Sequence, residues 1–496
     1  MRPVSRRYHD PVRIVTVASE CEPFAKTGGL GDVVDSLARS LGRLGHEVDV
    51  FLPLYRGLTP PGRVERRTVP VPTAGVAAVV RGSRSRAVDI VTGDAVGYRI
   101  RLVDAPDLFD RAGIYGDQAG DYPDNGARFA TLGRAALETV CAEGVAPDVL
   151  HGHDWQGAPA LLSLRSRYVD HPVVAGAASV LTCHNLAYHG RVPGPAAGAL
   201  DLRGVARASE GVDLLREAVI RADLVNTVSP THAAESRRPE SGFGLDDVLR
   251  ARGDRYLGIL NGIDTELWDP AADATLAAPY SAGDPLGKAA CRRDLAERLG
   301  LDPGEDSPIL AAVGRADWQK GMDLISVVGG DLVAAGARLV VLSTGDERQL
   351  DGLRSVVATH PRRAILCDRF DRALARQIYA GSDLLLMPSR FEPCGLSQLI
   401  GLRYGSLPLV RRTGGLADTV IDADEDPAHG TGFVFDPPEP GALLAAARRA
   451  MAAFRDRPRW RVLVARAMAA DFSWGRSVRE YVALFERAIA IRRERG

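Results

Sequence analysis

The sequence predicts an α/β protein with two doubly wound halves, each built on a parallel sheet with helices on both faces. Short apolar runs alternate with helical patterns along the whole chain, as expected for parallel strands joined by crossover helices. The pattern restarts near residue 308, after a long stretch rich in turn residues. A chain of 496 residues is also too long for one ordinary hydrophobic core. These observations favour two domains over one.

The first half opens with the apolar run RIVTVASE at residues 13–20. Apolar residues at helical spacing follow it as far as Leu44 and predict the first helix. Further strands are predicted at residues 47–55, 98–106, 148–154, 178–185 and 222–229, with a helix at 127–144. We expect the segment 63–89 to form strands in a hairpin-rich insertion.

The second half contains five predicted strands, at residues 308–316, 338–346, 363–370, 383–390 and 407–415. We place the domain boundary near Gly262, which gives an N-terminal domain of residues 1–262 and a second domain of residues 263–473. The tail, residues 474–496, carries apolar residues along one side of a predicted helix. Such a helix must pack on a domain, and we expect it to complete the N-terminal one.

Composition excludes several classes of protein. The formal net charge is −1, which argues against a broad nucleic-acid or anionic-membrane surface. No run approaches the roughly 20 apolar residues of a membrane span. The polar N-terminus lacks the apolar core of a signal peptide, which predicts a cytoplasmic location. None of the six cysteines has metal-ligand or CxxC spacing, so reduced thiols are expected.

Lysine is rare in this chain. Of the 62 basic residues, only Lys26, Lys288 and Lys320 are lysines, and the others are arginines. The planar guanidinium fork of arginine does not always replace a compact ammonium on a flexible stem. The three lysines are therefore candidates for specific roles, and chance survival is the alternative.

The motif KTGGLGD follows the first predicted strand. It is not a P-loop, because Lys26 precedes the glycines. It is also an incomplete dinucleotide fingerprint, since Gly29 and Gly31 are followed by Val34 at the third position. A glycine-rich turn at a helix N-terminus suits an anionic group, with Lys26 adding a point charge and Asp32 able to bind hydroxyls. The alternative is a tight turn with a solvated lysine.

Two histidine-containing motifs follow later strands, HGHDWQG at 151–157 and TCHNLAYHG at 182–190. His151 and His153 alternate along a strand and so share a face. A metal site is one alternative, but no fourth ligand is evident, and a polar, aromatic-lined wall for a sugar fits better. His184 and Asn185 at a strand end are suitable ligands for hydroxyls or phosphate, or His184 is a buried structural histidine.

The second half carries three motifs that suit a nucleotide sugar. VGRADWQKG, residues 313–321, places Arg315 and Lys320 just after a strand, as a diphosphate clamp or a solvated basic loop. In SRFEPCGLSQL, Glu392 stands at a predicted helix start, either facing a ligand or capping the helix. TGGL at 413–416 repeats the glycine-turn pattern of residues 27–30.

Taken together, these motifs resemble those of the bacterial glycogen synthases and plant starch synthases. KTGGLGDV, HDWQ, HNLAYHG, TVSP, NGID, QKG, SRFEPCGLSQL and RRTGGLADTV occur in the family's order along nearly the whole chain. The resemblance implies the GT-B fold, with two Rossmann-like domains facing a deep cleft. The N-terminal domain would serve the acceptor and the second domain the nucleotide-sugar donor.

The resemblance also implies an activity: retaining transfer of glucose from ADP-glucose to the non-reducing end of an α-1,4-glucan, glycogen or a maltooligosaccharide. No metal, cofactor, nucleic acid or membrane is implied. The implied catalytic residues are Glu392, His184, Lys320 and Arg315. The implied donor-binding residues are Lys26, Gly28, Gly29, Asp32, Asp154, Asn185, Asn261, Cys394, Gly395, Leu396, Thr413, Gly414 and Gly415.

Within this resemblance, Arg315 and Lys320 neutralise the diphosphate, and Asp154 with His184 holds the glucosyl unit. Glu392 sits against the reacting sugar, and the amides after Thr413 meet a phosphate.

Other functions stay open at this stage. Related retaining transferases often carry a second glutamate eight residues after the first, where this chain has Ile400. Another retaining GT-B enzyme could use UDP-glucose or make a smaller glucoside. A phosphorylase would need a lysine for pyridoxal phosphate, and a dinucleotide oxidoreductase would need the complete glycine fingerprint. A glucan-binding protein without activity would not need Glu392, Lys320 and Arg315 together.

Overall fold

The computed structural model describes residues 11–72, 85–198, 200, 202, 211–369 and 371–495. These residues form two compact units. The first lies within residues 1–228, 233–259 and 474–496, and the second comprises residues 229–232 and 260–473. The chain therefore passes from the first unit to the second near Leu260, and the last helix returns to the first.

The first unit is built on a nine-stranded sheet with the order β13-β12-β9-β8-β1-β2-β5-β4-β3. Its strands are β1 (Arg13–Val17), β2 (Glu47–Pro53), β3 (Glu65–Pro72), β4 (Ser85–Ala95), β5 (Tyr98–Asp104), β8 (Val149–His153), β9 (Ala178–Cys183), β12 (Leu224–Thr227) and β13 (Tyr256–Gly258). Two short ribbons pair β6 (Gly116–Asp117) with β7 (Gly120–Asp121) and β10 (Arg191–Val192) with β11 (Val212–Asp213).

The helices of this unit are α1 (Gly29–Arg43), α2 (Pro106–Phe109), α3 (Asn125–Glu143), α4 (Asp154–Leu164), α5 (Gly194–Gly198), α6 (Leu214–Arg221), α8 (Asp246–Ala251) and the C-terminal α17 (Trp474–Arg495), with a 3₁₀ turn at Gly253–Arg255. The short α7 (Pro230–Glu235) begins within the second unit and ends in the first.

Seven strands of this sheet, β13 to β5 in sheet order, are parallel, whereas β4 and β3 run antiparallel at one edge. The predicted hairpin is thus confirmed at β3 and β4, and the remainder of that prediction, residues 73–84, lies outside the described residues. Helix α17 buries Tyr481 and Phe485 in the core of the first unit. The hydroxyl of Tyr481 accepts a hydrogen bond from Asn226 Nδ2 at 3.4 Å, which ties the tail to β12.

The second unit is built on a six-stranded parallel sheet with the order β16-β15-β14-β17-β18-β19. Its strands are β14 (Ile309–Ala316), β15 (Arg338–Gly345), β16 (Ala364–Cys367), β17 (Leu384–Met387), β18 (Leu407–Arg411) and β19 (Phe433–Phe435). The first five match the predicted strands. β19 was missed because three residues are too short to show a period.

The helices of the second unit are α9 (Leu286–Arg298), α10 (Met322–Ala334), α11 (Glu347–Thr359), α12 (Arg372–Gly381), α13 (Ser397–Arg403), α14 (Gly414–Thr419), α15 (Pro440–Arg455) and α16 (Arg457–Ala469). In both units the polar motifs follow the carboxyl ends of parallel strands, which is where open α/β sheets bind ligands. Within the described residues, no helix is long and apolar enough to cross a membrane.

Candidate active site

An ion pair stands at the centre of the second unit's motifs. Lys320 Nζ lies 2.6 Å from Glu392 Oε2, and Ser389 Oγ donates to the same oxygen at 3.1 Å. Glu392 is only 4% exposed, so its charge depends on these partners. The turns after β14 and β17 therefore bring together two residues that are 72 positions apart in the sequence.

The glycine turn after β18 supports Glu392. The Gly415 N–H donates to the carbonyl oxygen of Glu392 at 3.0 Å. A Cβ at Gly414 would come within 2.0 Å of that oxygen, and one at Gly415 within 2.1 Å of the Cys394 carbonyl. Gly414 also has a φ of +44°. Only glycine allows the two chain segments to approach this closely.

This contact bears on one expectation. Of the amides after Thr413 that were expected to meet a phosphate, the Gly415 N–H already donates to the Glu392 carbonyl. Leu416 N–H likewise donates to the Thr413 carbonyl at 3.1 Å. The turn folds back on the Glu392 loop, and its glycines are required there by close packing.

The segment after Glu392 is held from within the unit. Gly395 has a φ of +75°, and the Gln398 side-chain amide donates to the carbonyls of Cys394 at 2.9 Å and Gly395 at 3.1 Å. Leu396 caps α13 without a side-chain hydrogen bond. Burial raises the pKa of the Cys394 thiol to about 12, against a smaller opposing effect of hydrogen bonds from Asn261. Cys394 is thus a neutral packing residue at pH 7.

Arg315 differs from its neighbours in this unit. Its side chain is 58% exposed and forms an ion pair with Asp317 at 3.3 Å. Lys320 donates its backbone N–H to the Asp317 carboxylate at 2.9 Å, so Asp317 organises the loop that carries both cations. The described contacts of Arg315 do not include Glu392, and its guanidinium is accessible to an anionic ligand.

In the first unit, the KTGGLGD turn lies between β1 and α1. Lys26 Nζ contacts Asp32 at 2.6 Å and Glu22 at 3.6 Å. The lysine is therefore paired, not solvated, and about a quarter of its side chain stays exposed. Gly28 precedes α1 with an extended backbone, and a Cβ added to it would meet nothing within 4 Å; Gly29 begins the helix.

A buried carboxylate that the sequence reasoning missed occupies this turn. Glu20, 3% exposed, accepts hydrogen bonds from the N–H groups of Thr27 at 2.6 Å and Gly28 at 3.0 Å. The Thr27 hydroxyl and the Tyr115 hydroxyl also donate to it, at 2.7 and 2.5 Å. Two amides of the turn are thus used by a side chain of the same domain, and a phosphate at this turn stays a prediction. The sequence signal that could have identified Glu20 is its position at the end of the first predicted strand.

Asp154 begins α4 at the end of β8. Its φ is +51°, and its carboxylate accepts the backbone N–H of His184 at 2.6 Å and of Asn185 at 3.3 Å. Burial raises the pKa of Asp154 to about 7, although these two hydrogen bonds act in the opposite direction. The ends of β8 and β9 therefore meet, and they place Asp154, His184 and Asn185 in one cluster.

Three histidines line this edge of the first unit's sheet. His153 Nδ1 and His184 Nε2 share one hydrogen bond at 2.9 Å, and the His151 and His153 rings lie 4.2 Å apart on the predicted common face. Burial lowers the pKa of His151 and His184 to about 3 and that of His153 well below its usual value. These three histidine side chains are therefore uncharged at pH 7. Across the described ranges, no group of three His, Cys, Asp or Glu residues is placed to hold a metal ion.

Lys288, the third lysine, has a different environment. Its ammonium donates to the carbonyls of Ala380, Ser382 and Tyr404 at 2.9, 3.1 and 3.0 Å. Burial lowers its pKa to about 8. Three donors in tetrahedral geometry suit three carbonyls, whereas the planar arginine fork does not. Lys288 thus has a structural role that ties α9 to two neighbouring turns.

Comparison with known proteins identifies the family. Residues 13–251 match the model of the starch synthase catalytic domain, and residues 307–453 match that of glycosyl transferases group 1. The chain is 42% identical over 487 residues to a glycogen synthase of Syntrophotalea carbinolica, with 97% of this chain and 99% of the relative covered. The chain belongs to the glycogen and starch synthase family. A glycogen synthase of Anaeromyxobacter dehalogenans is 43% identical over 481 residues, covering 96% and 99%.

A solved member of the same family has the same fold. The catalytic domain of starch synthase IV from Arabidopsis thaliana, bound to ADP and acarbose, superposes with a TM-score of 0.88 at 33% identity. The match covers 97% of this chain and 100% of that one. The predicted family, the GT-B fold class and the glycosyltransferase activity are thereby confirmed.

Proposed function

We propose that this synthase transfers glucose from ADP-glucose to the non-reducing end of an α-1,4-glucan, with retention of configuration, in the cytoplasm. Family membership and the ADP and acarbose bound to the starch synthase IV relative support the substrates. The observation that carries the chemistry is the buried Lys320–Glu392 pair beside the accessible Arg315.

The cations of the second unit suit the leaving group. Arg315 and Lys320 follow β14, and ADP leaves as a diphosphate whose negative charge grows as the glucosyl bond breaks. Charge-assisted hydrogen bonds from these two residues stabilise that charge. Lys320 then exchanges its partner Glu392 for phosphate oxygen, which frees the carboxylate when the sugar becomes electron-poor. No metal ion is required, and chelation with EDTA should leave the rate unchanged.

Glu392 is proposed to stabilise the oxocarbenium-like glucosyl group. At position 400, where some retaining transferases carry a second glutamate, Ile400 is buried and only 6% exposed. We therefore favour attack by the acceptor on the same face that the diphosphate leaves, with Glu392 supplying negative charge and no covalent bond. In a covalent route, Glu392 would itself be the nucleophile.

The first unit supplies hydroxyl-binding groups and one cation. We propose that Asp154, His184 and Asn185 hold the glucosyl hydroxyls and that Lys26, with Asp32, serves the donor phosphates. Because Nε2 of the neutral His184 is hydrogen-bonded to His153, its Nδ1 is the ring nitrogen left for a sugar hydroxyl. Glu20 and Gly28 fix the turn that carries Lys26.

The test compares ADP-glucose with UDP-glucose, each with glycogen, by nucleotide release. We expect faster release of ADP, no release without glucan acceptor, and α-linked product. If neither ADP nor UDP is released, the proposal is refuted. If UDP is released faster than ADP, the donor is UDP-glucose instead of ADP-glucose.

Glu392→Gln tests the role of the carboxylate, because it keeps the shape and removes the charge. We expect kcat to fall about 100-fold or more, with little change in the donor KM, since the charge acts mainly in the transition state. A large rise in KM with kcat preserved would make Glu392 a ground-state ligand. A trapped glucosyl–enzyme at Glu392 would establish the covalent route.

A further inference from the structure

One tryptophan of the second unit is exposed. The chain has five tryptophans, and Trp318 exposes 61% of its surface, whereas Trp155, Trp460 and Trp474 are buried and Trp268 is half-buried. An indole that is held in one orientation offers a ligand a large, flat apolar face on which to stack.

The exposed ring is held in place from one side. The guanidinium carbon of Arg390 lies 4.8 Å from the centre of the Trp318 ring. Arg390 is itself fixed by two hydrogen bonds to the Asp323 carboxylate, at 2.8 and 2.6 Å, and donates to the Trp318 carbonyl at 2.9 Å. The cation covers one face of the indole and restricts its rotamers. A ligand that stacks on this ring therefore meets a preorganised surface.

Trp318 and Arg390 lie on the same two loops as the residues of the proposed donor site. Trp318 is two residues before Lys320, and Arg390 is two residues before Glu392. The backbone N–H of Arg390 donates to the Gln319 carbonyl at 2.8 Å, and Gln319 Nε2 donates to the Phe391 carbonyl at 3.3 Å. These hydrogen bonds connect the two loops within one unit. The Trp318 ring therefore has a fixed position relative to the Lys320–Glu392 pair.

We propose that Trp318 is a stacking platform for a glucosyl ring of the acceptor α-glucan, bound beyond its reacting end. This rests on the proposed function, which supplies the glucan. The C–H face of a pyranose packs on indole and buries apolar area without needing a charged partner. A nucleobase would also stack on this ring, and the ADP-glucose KM of the Trp318 variants distinguishes that outcome from glucan binding.

Tryptophan fluorescence gives a direct binding readout with maltoheptaose as the probe. Because Trp318 is the most exposed of the five tryptophans, stacking should shift its emission to shorter wavelength. The same titration of Trp318→Phe should lose that shift, while the phenyl ring still binds glucan. An unchanged emission in the original protein, or an equal shift in Trp318→Phe, would overturn the proposal.

Kinetics of Trp318→Ala provide the second readout. We expect the half-saturating concentration of maltoheptaose to rise about tenfold, equivalent to about 1.4 kcal/mol at 25 °C, with the ADP-glucose KM within twofold of the original. Trp318→Phe should recover most of the affinity. Val327→Ala, at another exposed apolar position of the same unit (65%), is the matched control and should change neither value.

The outcomes separate the two proposals. A higher ADP-glucose KM with unchanged maltoheptaose affinity would assign Trp318 to the donor base and overturn the inference. If the protein released no nucleotide from either donor, the proposed function would fail. The maltoheptaose titration would still decide whether Trp318 binds glucan.

Discussion

Replacing Lys320 by methionine should show how far Glu392 depends on its cation. Methionine keeps most of the apolar stem and removes the ammonium that lies 2.6 Å from the carboxylate. The side chain of Glu392 is 6% exposed and that of Lys320 is 24% exposed. Breaking a buried pair costs about 3–5 kcal/mol, and the partial exposure of the lysine lowers our expectation to about 2 kcal/mol. For a unit of this size, that corresponds to a melting temperature lower by about 4–8 °C.

Differential scanning calorimetry measures this change, because the two units can melt in separate transitions. In Lys320→Met, the transition of the second unit should shift down and that of the first should not. The double variant Lys320→Met with Glu392→Gln should recover most of the loss, since no buried charge then lacks a partner. A double variant as unstable as Lys320→Met would refute the reasoning. Both variants should lose catalysis, so recovered stability without recovered turnover separates the two roles of the lysine.

Three further predictions concern neighbouring features. Gly415→Ala should reduce turnover at least tenfold by displacing the Glu392 loop. In the control Gly441→Ala, an added Cβ meets nothing within 4 Å, so turnover should equal that of the unchanged protein. Equal turnover in both variants would contradict the close-packing argument. Asp154 has a pKa of about 7 in the folded protein against about 3.9 when unfolded, so its proton stabilises the fold fully below pH 4, and this stability is lost as the pH rises to 7. In urea unfolding, the free energy of unfolding of the unchanged protein should therefore fall by about 1 kcal/mol per pH unit relative to that of Asp154→Asn across this pH range. If the free energies of both proteins change with pH in the same way, the prediction is wrong. Glu20→Gln should speed hydrogen exchange at the Gly28 amide at least tenfold because a neutral acceptor binds it less strongly, and unchanged exchange would show that the carboxylate does not hold the turn.

Much of the fold could be predicted because parallel strands that are buried on both faces appear in the sequence as continuous apolar runs. The strands β1, β2, β8 and β9 and the first five strands of the second unit follow this pattern. The prediction missed elements whose stability comes from tertiary contacts. Strand β19 has three residues and is defined by pairing with β18. Helix α4 contains Pro159 in its first turns, and its fully buried surface hides any helical period.

The site was predictable in its members and less so in its contacts. Strand ends identified Lys320, Glu392, Asp154 and His184 as candidates, because parallel strands deliver loops to one edge. Which partner each side chain meets depends on loop conformations that a motif does not encode. The Lys320–Glu392 pair and the Glu20 carboxylate in the glycine turn are both contacts of this kind. The motif also did not show that Gly414 and Gly415 allow two backbone segments to approach closely, and a phosphate contact at this turn stays a prediction.

The scarcity of lysine makes amine chemistry on this protein selective. The Lys288 ammonium is engaged by three carbonyls. The other two lysines, Lys26 and Lys320, each expose about a quarter of their side chain to a reagent such as an N-hydroxysuccinimide ester. Acylation at either removes a charge that the proposed reaction uses. Acylation of these lysines, as distinct from that of the α-amino group, should therefore inactivate the enzyme, and saturating ADP-glucose should protect it.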